Sequence, residues 1–378
     1  MRKPSQLALI LQFLDKLLYF AIVPNIILLV HRAEMLSLSD LAFFFAIHII
    51  PLRGLPVIIG YYVDRAHLKQ ALLGGFILQA FFIISLCFVS HRWLFLLCGL
   101  GAGMGGGILA PVFNKILADG QQHHEEKQNF LYQFLGINIA AAVASLLAWP
   151  YLSLYTLLFF IPACVSLILM VKNLDPITRM AADEVHPNFF RSLTHILKHA
   201  PALKILILLS CEWAMYTMLM SGIPAIAVSI NEKINGNLWI GLNAVTCILG
   251  YFIFIQKLKD MSRDHVRLQQ GMVLSSIGMV IIACAPSLFF IFLAVVVFSL
   301  GELILSPTGA RSLAKLAHPS MRGQYVSSLL LAGSLGEGGG QLFLSLYPHP
   351  RMVCFIVGIV SLFFTWYLMH ATRTPPNP

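Results

Sequence analysis

Twelve apolar runs divide this 378-residue chain, near residues 7–30, 39–62, 68–90, 93–118, 128–149, 152–172, 203–229, 237–257, 267–285, 288–310, 323–346 and 351–370. A helix rising 1.5 Å per residue needs about 20 residues to cross a hydrocarbon core about 30 Å thick, so each run has the length of one crossing. Inside lipid the backbone must satisfy its own hydrogen bonds, which leaves helices or a closed barrel. The alternating pattern of barrel strands is absent. With 58% hydrophobic and 11% charged residues the chain has too few charges to cover a water-facing surface, since soluble domains carry about 25%. This excludes a soluble enzyme, a disordered scaffold and a single-span anchored domain. The predicted fold class is an all-α polytopic membrane protein. Its start, Met-Arg-Lys-Pro before a long apolar run, has no small-residue cleavage site and reads as a retained first span. The seven cysteines are scattered without a C-x-x-C spacing and read as packing residues in a reduced setting.

The longest polar stretch separates six runs from six. It predicts an N-terminal six-helix bundle over 1–172, a linker over 173–202, and a C-terminal six-helix bundle over 203–378. Within the linker Phe189, Phe190, Leu193, Ile196 and Leu197 have partial helical spacing, the mark of a short surface helix. Nineteen Lys and Arg fall on the loops of one side and four (Arg32, Arg92, Lys233, Arg351) on the other. By the positive-inside rule both termini and the linker are cytoplasmic, in a plasma (inner) membrane. That topology accounts for the net charge of +9 without nucleic acid.

Residues 105–118, GGGILAPVFNKILA, and 301–314, GELILSPTGARSLA, share G-x-x-I-L-[AS]-P-x-x-x-[KR]-x-L-A without a gap, 196 residues apart. They lie in the fourth and tenth runs. Two Leu-rich helices could match by chance, but here the Gly and Pro positions match, which means shared close packing and a shared kink. Two six-helix halves in the same orientation are the parallel repeats of secondary transporters.

A charge near the bilayer centre costs roughly 2.5–3.5 kcal/mol on insertion scales, so each one asks for a reason. Asp15, Lys16, Arg53, Glu212, Glu302 and Glu337 stand inside apolar runs. Gln12, Lys16 and Tyr19 share one helical face with Asp15 beside it, and that face looks at a partner helix or a watery cavity. His48 and Arg53 flank Pro51; Tyr216 follows Glu212, and Ser306 follows Glu302 by one turn. Each ionisable group reads either as a structural ion pair or interfacial side chain, or as part of a solute or proton path. His48 reads also as a hydrogen-bond donor to a carbonyl freed by Pro51, and Glu337 as a polar packing residue in GSLGEGGGQ. The pair His123–His124 beside Glu125 and Glu126 reads as a solvated turn, lacking further metal ligands. The Gly-rich 99–107 segment lies within a run, without a preceding strand, and is no phosphate loop. No nucleophile elbow, zinc helix or ATP-binding motif occurs. No enzymatic function is expected. Transport without ATP is driven by a gradient, with the buried carboxylates as candidate proton carriers.

With these residues in hand, the chain resembles the major facilitator superfamily, and within it the proton-coupled oligopeptide transporters. PVIIGYYVDR (Pro56 to Arg65) is similar to that family's second-span turn, GGGILAP (Gly105 to Pro111) to its fourth-span motif, and GINIA (Gly136 to Ala140) to its fifth. WIGLN (Trp239 to Asn243) resembles the eighth-span S-L-N, GELILSPTG (Gly301 to Gly309) nearly reproduces the tenth-span signature, and HPSMRGQY (His318 to Tyr325) follows as in the family. The departures are as definite. Gln12 stands where the first-span signature has its first carboxylate, Ala110 aligns with the fourth-span lysine, and Thr217 aligns with the seventh-span acidic gate, counted from Trp213.

The resemblance implies a twelve-span facilitator fold working by alternating access. Its substrate-binding residues would be Lys16, Tyr19, Arg53, Asn138, Trp213, Asn243 and Glu302. Glu302, Asn243 and Asn138 would take an amino group, and Arg53 with Lys16 a carboxylate in place of the missing lysine. Proton coupling would fall to Asp15, Glu212 or Glu302, and the conformational loop would be Gly60, Asp64 and Arg65. The resemblance implies no cofactor beyond the proton gradient, no metal, a small-molecule substrate and lipid bilayer as partners, and a monomer. Two other functions stay open: a drug or metabolite exporter on the same fold, and a transport-inactive sensor or assembly partner.

Overall fold

The computed structural model describes residues 4–32, 38–63, 68–86, 91–119, 126–145, 152–174, 189–231, 234, 238–259, 264–316 and 322–370. Among the described residues thirteen helices follow in chain order: α1 (Pro4–Arg32), α2 (Leu38–Val63), α3 (Leu68–Leu86), α4 (Arg92–Asp119), α5 (Glu126–Ser145), α6 (Leu152–Lys172), α7 (Phe189–Lys198), α8 (Ala200–Ile230), α9 (Leu238–Lys259), α10 (Asp264–Cys284), α11 (Leu288–Leu316), α12 (322–346) and α13 (Pro350–His370). Each apolar run holds one helix over its described residues, the linker carries α7, and no strand occurs among the described residues. Seven helices hold a described apolar run long enough to cross a membrane. Their outer faces are apolar: Ile77, Phe81, Ile253 and Phe289 are each more than 60% exposed. A water-soluble surface does not carry that density of bare aromatic and aliphatic side chains, whereas lipid tails accept it.

The chain forms two compact units, Met1–Leu193 and Thr194–Pro378, the division falling within α7. In the first unit α2 and α3 pack on α4, and α5 and α6 pack on α1. In the second, α9 and α10 pack on α11, and α12 and α13 pack on α8. The same pairing recurs, helix for helix. The 196-residue offset of the sequence motif recurs as well, since Pro4/Ala200, Leu68/Asp264, Arg92/Leu288 and Glu126/Arg322 all begin helices at that spacing.

The repeat has a physical cause at its centre. A Cβ on Gly105 would lie 2.4 Å from the Gln79 amide nitrogen, and one on Gly75 would lie 3.1 Å from the Gly105 carbonyl. One repeat later, a Cβ on Gly301 would lie 2.6 Å from the Ser275 nitrogen, and one on Gly271 would lie 2.9 Å from the Gly301 carbonyl. Both crossings bring two backbones together where only glycine leaves room. The glycine run on α4 serves two neighbours. Gly103 and Gly107 meet the His48 and Pro51 carbonyls of α2 at 2.1 and 2.4 Å from an added Cβ, while Gly101 and Gly105 face Phe82 and Gln79 of α3.

Two helices expected to be regular are not. α8 widens into a π-turn at Met218–Gly222, and α12 into another at Ser334–Gly338. The two helices are zipped there: Thr217 Oγ1 donates to the Glu337 carbonyl (2.9 Å) and Ser221 Oγ to Gln341 Oε1 (3.2 Å). A Cβ on Gly336 would strike the Ser210 carbonyl at 2.0 Å, so α12 lies directly on α8. Glu337 is buried in this contact, as its glycine-rich surroundings predict. Polar ties close other corners of the unit. Lys315 Nζ meets Asp264 Oδ2 at 2.6 Å, and Arg351 Nη1 donates to the Ala285 carbonyl (2.7 Å) just past α10, where a cation suits the open carbonyls of a helix end.

Candidate functional site

In the first unit the polar side chains of α1 meet α2, α3 and α5, and α5 reaches on to α4. Asp15 Oδ2 pairs with Lys16 Nζ at 3.1 Å, and its Oδ1 accepts from Gln79 Nε2 at 2.7 Å. Gln133 Nε2 donates to both Gln12 Oε1 (3.1 Å) and Asn114 Oδ1 (2.9 Å). Lys16 Nζ stands 5.3 Å from the centre of the Tyr19 ring, and that ring stacks on His48 with centroids 5.6 Å apart. A neutral amide can hold this geometry where a carboxylate is expected from the resemblance, because Gln12 here needs only an acceptor for Gln133.

His48 departs from its expected partner. Its Nδ1 donates to the Gly99 carbonyl of α4 at 2.9 Å, not to a carbonyl freed by Pro51 in its own helix. α2 and α4 approach closely enough for this because Gly99 and Gly103 carry no side chain. Nε2 is buried without a hydrogen-bond partner. Arg53 is half-buried on α2, two residues beyond Pro51, and Asn138 is buried on α5. Asn138 Nδ2 donates to the Phe134 carbonyl one turn back (3.0 Å), which leaves its Oδ1 as the acceptor it can offer. Gly60 lies in the last turn of α2; Asp64, Arg65 and the His123–His124 turn lie outside the described residues.

The second unit brings together the acids. Asn243 Nδ2, from α9, donates to Glu302 Oε2 at 2.7 Å and to Ser299 Oγ at 3.0 Å on α11. Ser299 and Glu302 are three residues apart and share a face, so one amide holds both. One turn further, Ser306 Oγ donates to Glu212 Oε1 of α8 at 2.8 Å. Glu212 is 3% exposed and its Oε2 has no hydrogen-bond partner. Two carboxyl groups therefore converge on one face of α11, and the hydrogen-bond donors given to them are neutral: an asparagine amide and a serine hydroxyl. Such a cluster can bind a proton, an ammonium group, or one of each.

Trp213 packs edge-to-face on Tyr216 (centroids 5.6 Å) and its Cβ faces Gly336 of α12. Thr217, aligned with the acidic gate of the resembled family, is spent on the α8–α12 zipper. Among the described residues no group of three His, Cys, Asp or Glu could hold a metal ion. Reasoning from charges alone missed Gln79, Asn114, Gln133 and Ser299, although each is a polar residue standing within or at the edge of an apolar run.

The Major Facilitator Superfamily model matches residues 7–340. The multidrug resistance protein MdtH of Aeromonas hydrophila subsp. hydrophila is 23% identical over 344 residues, covering 86% of this chain and 84% of that relative. MdtH of Salmonella arizonae is 21% identical over 337 residues, with 85% and 83% covered. Among solved structures, a mutant of the peptide transporter POT in complex with alafosfalin superposes with a TM-score of 0.80 at 13% identity, covering 98% of this chain and 94% of that one. A POT family transporter in complex with 5-aminolevulinic acid superposes with a TM-score of 0.74 at 12% identity, covering 98% and 96%. These structures share the fold.

Proposed function

The chain belongs to the major facilitator superfamily, and from that premise we propose that this membrane transporter moves a small amino-bearing solute by alternating access, coupled to the proton gradient. The solute is a peptide, an amino acid or a peptide-like compound. The observation that carries this reading is the acid cluster of the second unit. Glu302, oriented by Asn243, takes the ammonium, and Glu212, tied to Ser306, takes the proton or a second hydrogen of the amine. Asp15 is the other candidate proton carrier, already paired with Lys16.

The repeat adds a second support. Lys16 and Glu212 stand 196 residues apart, at equivalent positions of α1 and α8, with opposite charges. Lys16, Tyr19 and Arg53 supply the cationic and aromatic groups that a carboxylate end requires, and Arg53 can offer two parallel donors where lysine offers one. Asn138 Oδ1 and Trp213 complete the substrate-binding set, and Gly60, Asp64 and Arg65 serve the conformational loop. The 5-aminolevulinic acid held by one structural neighbour is a zwitterion of this kind. Both termini lie in the cytoplasm, the protein works as a monomer in an inner membrane, and the proton gradient is its only energy source.

The MdtH relatives favour a second reading, export of amine-bearing drugs through the same acids. A thermal-shift screen in detergent separates the two. Dipeptides and amino acids with free termini should raise the melting temperature more than their N-acetylated and amidated forms do at the same concentration. Stabilisation by lipophilic amines alone would replace the first reading by the second.

A further inference from the structure

α7 runs into the membrane-spanning α8 with only His199 between them, so α7 lies at the height of the bilayer surface. His199 is extended (φ −80, ψ 95) and a proline sits in the first turn of α8, which sets the corner between the two helices. The rotation of α7 about its own axis is fixed from the inner side. Ile196 is buried, and the hydroxyl of Tyr325, from α12, lies 3.2 Å from His195 Nδ1 and 3.1 Å from His199 Nδ1. A phenol donates one hydrogen and accepts another, so it can hold both rings at once, one ring accepting and the other donating.

With Ile196 buried and the two histidines joined to Tyr325, the opposite arc of α7 carries Phe190, Leu193, Thr194, Leu197 and Lys198. Phe190 is 74% exposed, Leu197 is 43% exposed, and Lys198 is exposed beside them. From Val185 to Cys211 the sequence has Arg191, Lys198 and Lys204 and no Asp or Glu. We propose that this arc docks on anionic phospholipid. Phe190, Leu193 and Leu197 enter the boundary between headgroups and acyl chains, and Lys198 meets headgroup phosphate.

Three features select this occupant. A helix tethered one residue from a span is already at the depth of the headgroups. Its arc joins apolar to cationic groups, the pairing of interfacial helices. The Lys and Arg of α7, Arg191 and Lys198, share that helix with no acid, and they match an anionic lipid surface better than a second copy of the same helix, which they would repel. The proposal rests on the chain being an integral membrane protein and is independent of the solute.

The test uses the full-length protein carrying Phe190→Trp or Leu197→Trp, reconstituted into vesicles of phosphatidylcholine alone or mixed with phosphatidylglycerol. The emission of the unsubstituted protein is subtracted. In the anionic vesicles the added emission should shift to the blue and be quenched by lipids brominated near the headgroup, consistent with burial roughly 5–10 Å below the surface. Adding Lys198→Ala should lower the docked-to-undocked ratio about fivefold, the effect of one lysine at an anionic surface. Emission typical of water with no quenching by bromine would overturn the proposal. So would equal quenching in both lipid compositions, or a blue shift that grows with the protein-to-lipid ratio, which would assign the arc to a second copy.

Discussion

Glu302→Gln removes a charge and leaves the local frame standing. Asn243 Nδ2 now donates to Glu302 Oε2 at 2.7 Å, and the oxygen of a glutamine side chain can accept the same bond. Asn243 also keeps Ser299, and Ser299 keeps its bond to the Val295 carbonyl at 2.7 Å. The change therefore isolates what a negative charge contributes at this point. A hydrogen bond to a charged group contributes about 1.5–3 kcal/mol, so a ligand ammonium should bind roughly 10- to 150-fold more weakly to the variant. An N-acetylated analogue lacks the ammonium and should lose less than about threefold, which lies within a neutral hydrogen bond's worth. Isothermal titration in detergent with matched free and acetylated ligands measures both losses. Equal losses for the two ligands would refute the assignment of Glu302 to the amine and leave it a structural or coupling residue.

The remaining predictions address the other groups in turn. Arg53→Ala should abolish the preference for a free carboxylate over its amide, seen as converging affinities of the two ligands; a preserved preference would remove Arg53 as the anion anchor. Asp15→Gln, Glu212→Gln and Glu302→Gln, assayed separately in vesicles, should include one variant that loses gradient-driven accumulation and keeps solute exchange. If all three accumulate solute, none of these acids carries the proton. Gly301→Ala places a methyl group 2.6 Å from the Ser275 nitrogen and the Gly271 carbonyl, and should lower stability by about 1–3 kcal/mol through overpacking. Gly339→Ala meets nothing within 4 Å and should be neutral or slightly stabilising, so equal melting temperatures for the two variants would contradict the packing account.

The twelve spans and the repeat were legible because lipid imposes a single rule on every helix, and because glycine is required wherever two backbones cross. Gly105 and Gly301 could be read from the sequence for that reason, and their partners Gln79 and Ser275 lie at the same 196-residue offset. The approach of Asn243 to Glu302 was available only through resemblance, since the residues are distant in sequence and neither has a local pattern. The amides Gln79, Asn114 and Gln133 escaped notice because an uncharged polar residue barely lowers the hydropathy of a long apolar run. The π-turns were invisible for a related reason. Met218–Gly222 and Ser334–Gly338 read as ordinary apolar or glycine-rich helix, and only the backbone geometry reveals the widened turns, which the hydrogen bonds of Thr217 and Ser221 to the neighbouring helix accompany. His48 illustrates the limit of local reasoning, because its partner Gly99 is on another helix.

Uptake by proteoliposomes tests the central claim most directly. Purified protein is reconstituted, a proton gradient is imposed, and labelled dipeptides, free amino acids and lipophilic amines are offered in parallel with their N-acetylated forms. Accumulation of a free-amine zwitterion above its external concentration, lost when the gradient is collapsed and lost in Glu302→Gln, is the predicted result. Accumulation that ignores the gradient, or that treats acetylated and free ligands alike, would contradict proton-coupled transport of an amino-bearing solute.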